Sequence, residues 1–331
     1  MIQIDSKIKY QVITWYFDSK KKEPVYSNWQ IPTYSISWNN NISEGKNIVI
    51  LHWSNWFDIQ RDQEKLLKLN RLLPDYNIVV YNSRISYESW IELNFDNSNF
   101  SPKELQKDTD IISKYFFWDY KFNVIWFSIW TLFALALLDN KEISKRVDKL
   151  FLVWFWKLEN YNKTKIERLF KKHPEAQNIL KLSVEWKSEK QVNKLIVERL
   201  QKLTPEELFY YNLYLLDLFY PRVYKEEIEK KYSNKEIQEK VRETTKRYIQ
   251  ILWNFHWELD NVKIAKKVLS NKSNKDKIYF YNWGKDELGK EEDLLETFNT
   301  VNQSYPYCII EEKGHSLWES LEHIVSDIIK L

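Results

Sequence analysis

The sequence predicts an α/β protein: a mainly parallel sheet flanked by helices, with a helical insertion late in the chain. Three observations carry this expectation. Short apolar runs alternate with amphipathic segments through the first half of the 331 residues. Nearly pure helical texture, rich in Lys and Glu, fills 157–270, and strand texture then returns. Strands alternating with helices imply right-handed βαβ units and hence parallel pairing. The expected organisation is a sheet domain made of 1–156 and 271–331, with 157–270 forming a helical insertion.

Taken in order, "YQVITWYF" and "TYSIS" read as strands and "NIVIL" as a buried one. "DIQRDQEKLLKLNRLL" reads as a helix and "YNIVVYN" as the next strand. "SPKELQKDTDIISKYFF" opens with Ser101 as N-cap, Pro102 at the first helical position and Glu104 closing a capping box. The strand "FNVIWF", the helix "TLFALALL" and the strand "DKLFLV" follow. Within the insertion, "TPEE" at Thr204–Glu207 and "SNKE" at Ser233–Glu236 have the pattern of helix starts. "DKIYFYN" and "YPYCIIEE" supply the last two strands, and a helix from about Ser316 closes the chain.

Composition narrows the function. Fifty Lys and Arg against 47 Asp and Glu nearly cancel, which gives no case for a nucleic-acid partner or a membrane-surface protein. The longest apolar stretch, Asn123 to Leu138, is broken by Ser128 and Thr131, so no integral membrane segment is expected. The stretch "MIQIDSKIKYQVITWYFD" lacks the basic-then-apolar order of a signal peptide, and a single cysteine allows no internal disulfide. Both suit a cytoplasmic protein.

Glycine and tryptophan usage is abnormal. There are 4 Gly and 16 Trp, whereas average usage would give roughly 23 Gly in this length. Counting every Trp as Gly would restore ordinary glycine usage. Position points the same way. Trp29, Trp56 and Trp283 each follow an asparagine, where Asn-Gly would signal a turn. Trp38 opens the polar turn "SWNNN", and Trp154 and Trp156 flank Phe155 at a strand end. Trp118 stands between a helix and a strand, where helices end on a left-handed residue, usually Gly. Such places want a positive φ or no Cβ. The expectation is that many or all of these tryptophans are glycines in the protein the organism makes, since some bacterial lineages read UGA as glycine and others as tryptophan. Abundant Lys, Asn and Ile suit an AT-rich genome. The competing reading is an aromatic-rich protein with tryptophans in its core or on a binding face.

The candidate chemistry lies in "NVIWFSIWTLFALALLDN", residues 123–140. An apolar strand, a serine and an apolar helix follow the layout of a nucleophile elbow, G-x-S-x-G, with Trp126 and Trp130 in the glycine places. Asp286 follows the strand "DKIYFYN" in "NWGKDE", and His315 follows "YPYCIIEE" in "EKGHSLWES". Serine, acid and histidine in this order suit nucleophilic catalysis: an imidazole removes the hydroxyl proton and a carboxylate fixes the imidazole tautomer. Glu287 is an alternative acid by adjacency, and Glu159 follows the earlier strand "DKLFLV". His52, His173, His256 and His323 are poorer histidines by position, and Cys308 reads as a buried strand residue. The aromatics Phe209, Tyr210, Tyr211, Tyr214, Phe219 and Tyr220 form either the core of the insertion or the wall of an apolar pocket.

On these residues the chain resembles the α/β-hydrolase superfamily over nearly its whole length. "NIVILHWSNW" resembles the family's strand and H-G-x oxyanion loop, with Trp53 in the glycine place. The resemblance implies Ser128 as nucleophile, Asp286 and His315 as its partners, and the backbone N–H groups of Ser54 and Ile129 as the oxyanion hole. It also implies no metal and no organic cofactor, a small-molecule acyl substrate of apolar character, and a cap over the active site. The departures are Trp53, Trp126 and Trp130. Read literally, they favour a non-catalytic binding or scaffold protein of the same fold; read as glycines, they complete the motif. Oligomeric state is not legible.

Overall fold

A computed structural model describes residues 6–36, 46–52, 59–82, 102–127, 131–155, 157–158, 161–181, 189–200, 202–219, 259–286, 289–311 and 317–330. Its strands are β1 (Ile8–Asp18), β2 (Glu23–Ile36), β3 (Asn47–His52), β4 (Asn77–Asn82), β5 (Phe122–Phe127), β6 (Val147–Val153), β7 (Ile278–Trp283) and β8 (Tyr307–Ile310). They form one sheet in the order β1-β2-β4-β3-β5-β6-β7-β8. β2 runs antiparallel to both β1 and β4, and every pair from β4 to β8 is parallel.

The parallel strands are the ones read as continuous apolar runs. Ile48, Val49, Ile50, Ile78, Val79, Val80, Val124 and Ile125 are fully buried, as expected for strands covered by helices on both faces. β1 is instead only partly covered. Ile8, Ile13 and Tyr16 face the core, while Tyr10, Val12, Trp15 and Phe17 are exposed. The first hairpin differs from the sequence expectation, because β2 begins at Glu23 and runs through Asn28-Trp29 without a turn. Ile13 pairs with Ile31 and Trp15 with Tyr26. Residues 27–30 therefore lie opposite Thr14 alone, so the turn signal marks a bulge within a strand. A bulge, like a turn, favours a residue free of steric restriction.

The helices are α1 (Ile59–Leu72), α2 (Pro102–Phe117), α3 (Thr131–Asp139), α4 (Lys141–Arg146), α5 (Tyr161–Lys172), α6 (Pro174–Leu180), α7 (Glu189–Leu200), α8 (Pro205–Phe219), α9 (Leu259–Ser270), α10 (Glu291–Val301) and α11 (Leu317–Lys330). Pro102 opens α2 as expected; Ser101 and Ser233–Glu236 lie outside the described residues. The Thr204–Glu207 box forms: Thr204 N–H donates to Glu207 Oε2 at 2.8 Å, and Glu207 N–H to Thr204 Oγ1 at 3.2 Å. α4 was not anticipated. Asn140 caps it, accepting from Glu142 N–H at 3.0 Å and Ile143 N–H at 3.2 Å, and six residues are too few to show a hydrophobic period.

α5 to α8 pack on one another between β6 and β7 in the chain, and α9 packs against α3. Arg168 of α5 clasps Asp293 of α10 with two bonds, at 2.7 and 3.0 Å. This planar fork fixes direction as well as distance and ties the inserted helices to the sheet's flank. No described helix is long and apolar enough to cross a membrane.

Candidate active site

The parallel strands all point their carboxyl ends to one edge of the sheet, the edge at which open α/β sheets bind ligands. β3 ends at His52, two residues before Ser54. β5 ends at Phe127, one before Ser128. β7 ends at Trp283, three before Asp286, and β8 ends at Ile310, five before His315. The topology thus brings the four predicted loops to one edge. Ser54, Ser128, Ile129 and His315, with Trp53 and Trp130, lie outside the described residues, as do Glu159 and Glu287.

Asp286 is described and is almost fully buried, at 1% exposure. Its loop is pinned at its start by a tight turn, in which Asp286 N–H donates to Trp283 O at 3.2 Å. Gly284 N–H also donates to Ile310 O at the end of β8, at 3.0 Å. A Cβ on Gly284 would come within 2.8 Å of Glu311 Cα and 2.9 Å of Glu311 O. Glycine is required there by the close approach of two backbones. That contact holds the acid loop against the strand that leads to His315.

The sequence reading missed the groups that fasten the other end of this loop. Asn282, fully buried near the end of β7, accepts from Phe155 N–H at 2.8 Å. It donates through Nδ2 to Phe155 O at 2.7 Å and to Gly289 O at 2.9 Å. Thr131, the first residue of α3, makes a longer contact from Oγ1 to Trp154 O at 3.4 Å. Leu158 N–H donates to Thr297 Oγ1 of α10 at 3.2 Å. The available signal was an asparagine inside the otherwise apolar strand "KIYFYNW", since buried amides need partners.

Three tryptophans bear on the site. Trp126 is fully buried in β5, between Leu51 of β3 and Leu152 of β6. Among the described residues its Nε1–H has no hydrogen-bond partner, a cost of about 1–3 kcal/mol for a buried donor. Trp154 follows β6 with φ 64°. Its ring lies against the acid loop, so that a Cβ on Gly289 would fall 2.5 Å from Trp154 Nε1. Trp118, after α2, has φ 54° and donates its N–H to Lys114 O at 3.0 Å, as a left-handed helix end does. Bulky residues rarely adopt such φ values.

The remaining candidates fall elsewhere. His173 stacks on Tyr214 with ring centroids 4.8 Å apart, inside the packed α5–α8 group. His323 is exposed on α11 and His52 ends β3; His256 lies outside the described residues. Tyr211 is buried and Tyr210 largely exposed. The Cys308 thiol is half-buried in β8, and burial pushes its pKa up, against a role as nucleophile. Among the described residues no His, Cys, Asp and Glu group together as a metal site.

No family model matches the sequence, and no curated protein matches it. Solved structures do. MGS-M2, an α/β hydrolase enzyme from a Medee basin deep-sea metagenome library, aligns with TM-score 0.56 and 10% identity over 92% of this chain and 94% of that one. An acetylester hydrolase from Corynebacterium glutamicum aligns with TM-score 0.51 and 12% identity over 100% and 99%. A haloalkane dehalogenase variant from Bradyrhizobium elkanii aligns with TM-score 0.53 and 10% identity over 98% and 97%. The chain has the α/β-hydrolase fold. Neighbours that act on different bonds share it, so the fold alone does not name a reaction.

Proposed function

We propose that the protein is a serine hydrolase that cleaves a carboxylic ester or related acyl bond through an acyl-enzyme. Ser128 attacks the acyl carbon, and His315 takes the hydroxyl proton and returns it to the leaving group. Asp286 orients the imidazole and stabilises its charged form. The backbone N–H groups of Ser54 and Ile129 receive the oxyanion; losing one such donor typically costs a few kcal/mol of transition-state stabilisation. A second acyl transfer, to water, releases the acid. The substrate is a small acyl compound, and helices within 157–270 form a cap over the 1–156 and 271–331 core. The enzyme works in the cytoplasm.

One observation carries this reading. A buried carboxylate, Asp286, sits in a loop fastened at both ends, on the edge where β5 stops one residue short of Ser128.

The reading includes the identity of residues 53, 126 and 130, which we take to be glycine in the native protein. Two of the described tryptophans hold a positive φ and a third keeps an orphaned indole N–H, all of which glycine removes. The intact mass of protein purified from its source decides this. Each replacement lowers the mass by more than a hundred daltons, and a mass equal to that of the sequence as written rejects the idea. Activity is tested by fluorophosphonate labelling of the glycine-substituted chain. Labelling that disappears in Ser128→Ala is the expected result; a folded protein that never labels refutes the hydrolase.

A second reading, a non-catalytic protein of the same fold, is favoured by the full burial of Trp126 within the sheet. It predicts a native mass that includes the tryptophans, and no labelling.

A further inference from the structure

We propose that Asn282 is a positioning residue for catalysis, a claim that rests on the hydrolase reading above. Its buried amide joins the acid loop to the chain leaving β6 and so holds Asp286 at the depth and angle that His315 requires.

The main-chain ladder between β6 and β7 ends with Trp154 N–H donating to Tyr281 O at 2.6 Å. There β6 turns away, with Trp154 at φ 64°, and Phe155 would lose its partners. The Asn282 side chain takes their place. Like a peptide group, it accepts from Phe155 N–H at 2.8 Å and donates to Phe155 O at 2.7 Å. The second Nδ2 hydrogen is then left for Gly289 O at 2.9 Å, three residues beyond Asp286. Both donors of the amide are used, and neither Asn282 nor Phe155 is exposed.

Asn is the only residue type that does this at that length. Asp offers no second donor, Ser offers one, and Gln places its amide too far out. The start of the loop is independently fixed by Gly284 on Ile310 and Glu311. Among the described residues Asn282 is the side chain hydrogen-bonded to the loop's other end, at Gly289 O. A displacement of about 1 Å in a catalytic group can cost on the order of 10²-fold in rate.

The test is Asn282→Asp in the glycine-substituted chain, with active sites counted by fluorophosphonate titration. The expected result is a kcat lower by about 10²-fold with KM nearly unchanged. The acid limb of the kcat/KM profile should also move to lower pH, because a misaligned carboxylate no longer stabilises the imidazolium. Asn282→Ser, which keeps one donor, should fall between. Reduced yield or stability with kcat and the acid limb unchanged per titrated site overturns the proposal. If neither variant folds, hydrogen exchange on the parent chain decides: the Phe155 and Asp286 amides should open together, and independent opening overturns the inference. A parent chain that never labels refutes the hydrolase instead, and the exchange result still reports on the Asn282 junction.

Discussion

The two edges of the sheet are built from different chemistry. At the amino edge charge dominates. Arg146, the last residue of α4, donates to Asp110 Oδ1 at 3.0 Å and to Ser113 Oγ at 2.9 Å, with its guanidinium over the Phe122 ring. Lys114 lies 3.8 Å from Asp18 and 3.9 Å from Asp110. Burial raises the Asp110 pKa although Lys114 and Arg146 pull it down, and burial lowers that of Arg146. Asn47 and Asn77, at the starts of β3 and β4, are bonded to each other at 3.1 Å. Asn47 also donates to Lys121 O at 2.9 Å, just before β5. At the carboxyl edge the described fastenings of the acid loop itself are neutral, Asn282, two glycines and backbone turns around the buried Asp286, and the charged Arg168–Asp293 fork comes only in the first turn of α10. The shifted carboxylates and guanidinium named here thus gather away from Asp286. Buried ion pairs shift pKa values as readily as catalytic groups do, and the distinction comes from where strands end.

The comparison can be broken most directly at Arg146. Arg146→Ala leaves the half-buried Asp110 without its guanidinium and uncovers the Phe122 ring, which should cost about 3 kcal/mol in urea unfolding. Catalysis per folded molecule should not change. The sign of the pH dependence is fixed. Asp110 has a raised pKa in the fold, so stability is lost as pH rises through that value. The variant's deficit is accordingly largest near neutrality and shrinks in acid as the carboxyl protonates; a deficit that grows in acid contradicts the assignment.

A smaller effect is expected at Gly284. The Cβ of Gly284→Ala must displace the Glu311 backbone, at about 1–3 kcal/mol for an overpacked site. Here activity should fall with stability, because the same contact holds the acid loop. Equal stability and full activity would show that the loop tolerates slack.

The smallest change has the opposite sign. Trp118 is 65% exposed and left-handed, so Trp118→Gly should stabilise the fold by about 1 kcal/mol through relief of backbone strain. Urea melts of the paired proteins check this, and a loss of stability would mean that the indole makes contacts worth more than the strain.

Much of the framework could be read from residues in order. Each strand expected from an apolar run was found, and the Pro102 helix start and the Thr204–Glu207 box are where the spacing put them. Trp118 was expected at a left-handed position and occupies one. The extent of β2 was misread, because a bulge and a turn share the same local signal. α4 is too short to show a period, whereas α10 carries the stripe Leu294, Phe298 and Val301 in "EEDLLETFNTV", a legible signal that the expected elements omitted. Of the candidate site, the sequence singled out Asp286; the asparagine in "KIYFYNW" signalled a buried amide in need of partners, but nothing named Phe155 and Gly289 as those partners.

By itself, then, the sequence determined the periodicities, the caps and the order of serine, acid and histidine along the chain, because these depend on neighbours a few residues apart. Tertiary structure alone decided strand order, the edge shared by the candidate loops, and the partners of Asn282. Asn282, for one, meets Phe155 across 127 residues of chain, and such pairings exist only once the sheet has closed around them.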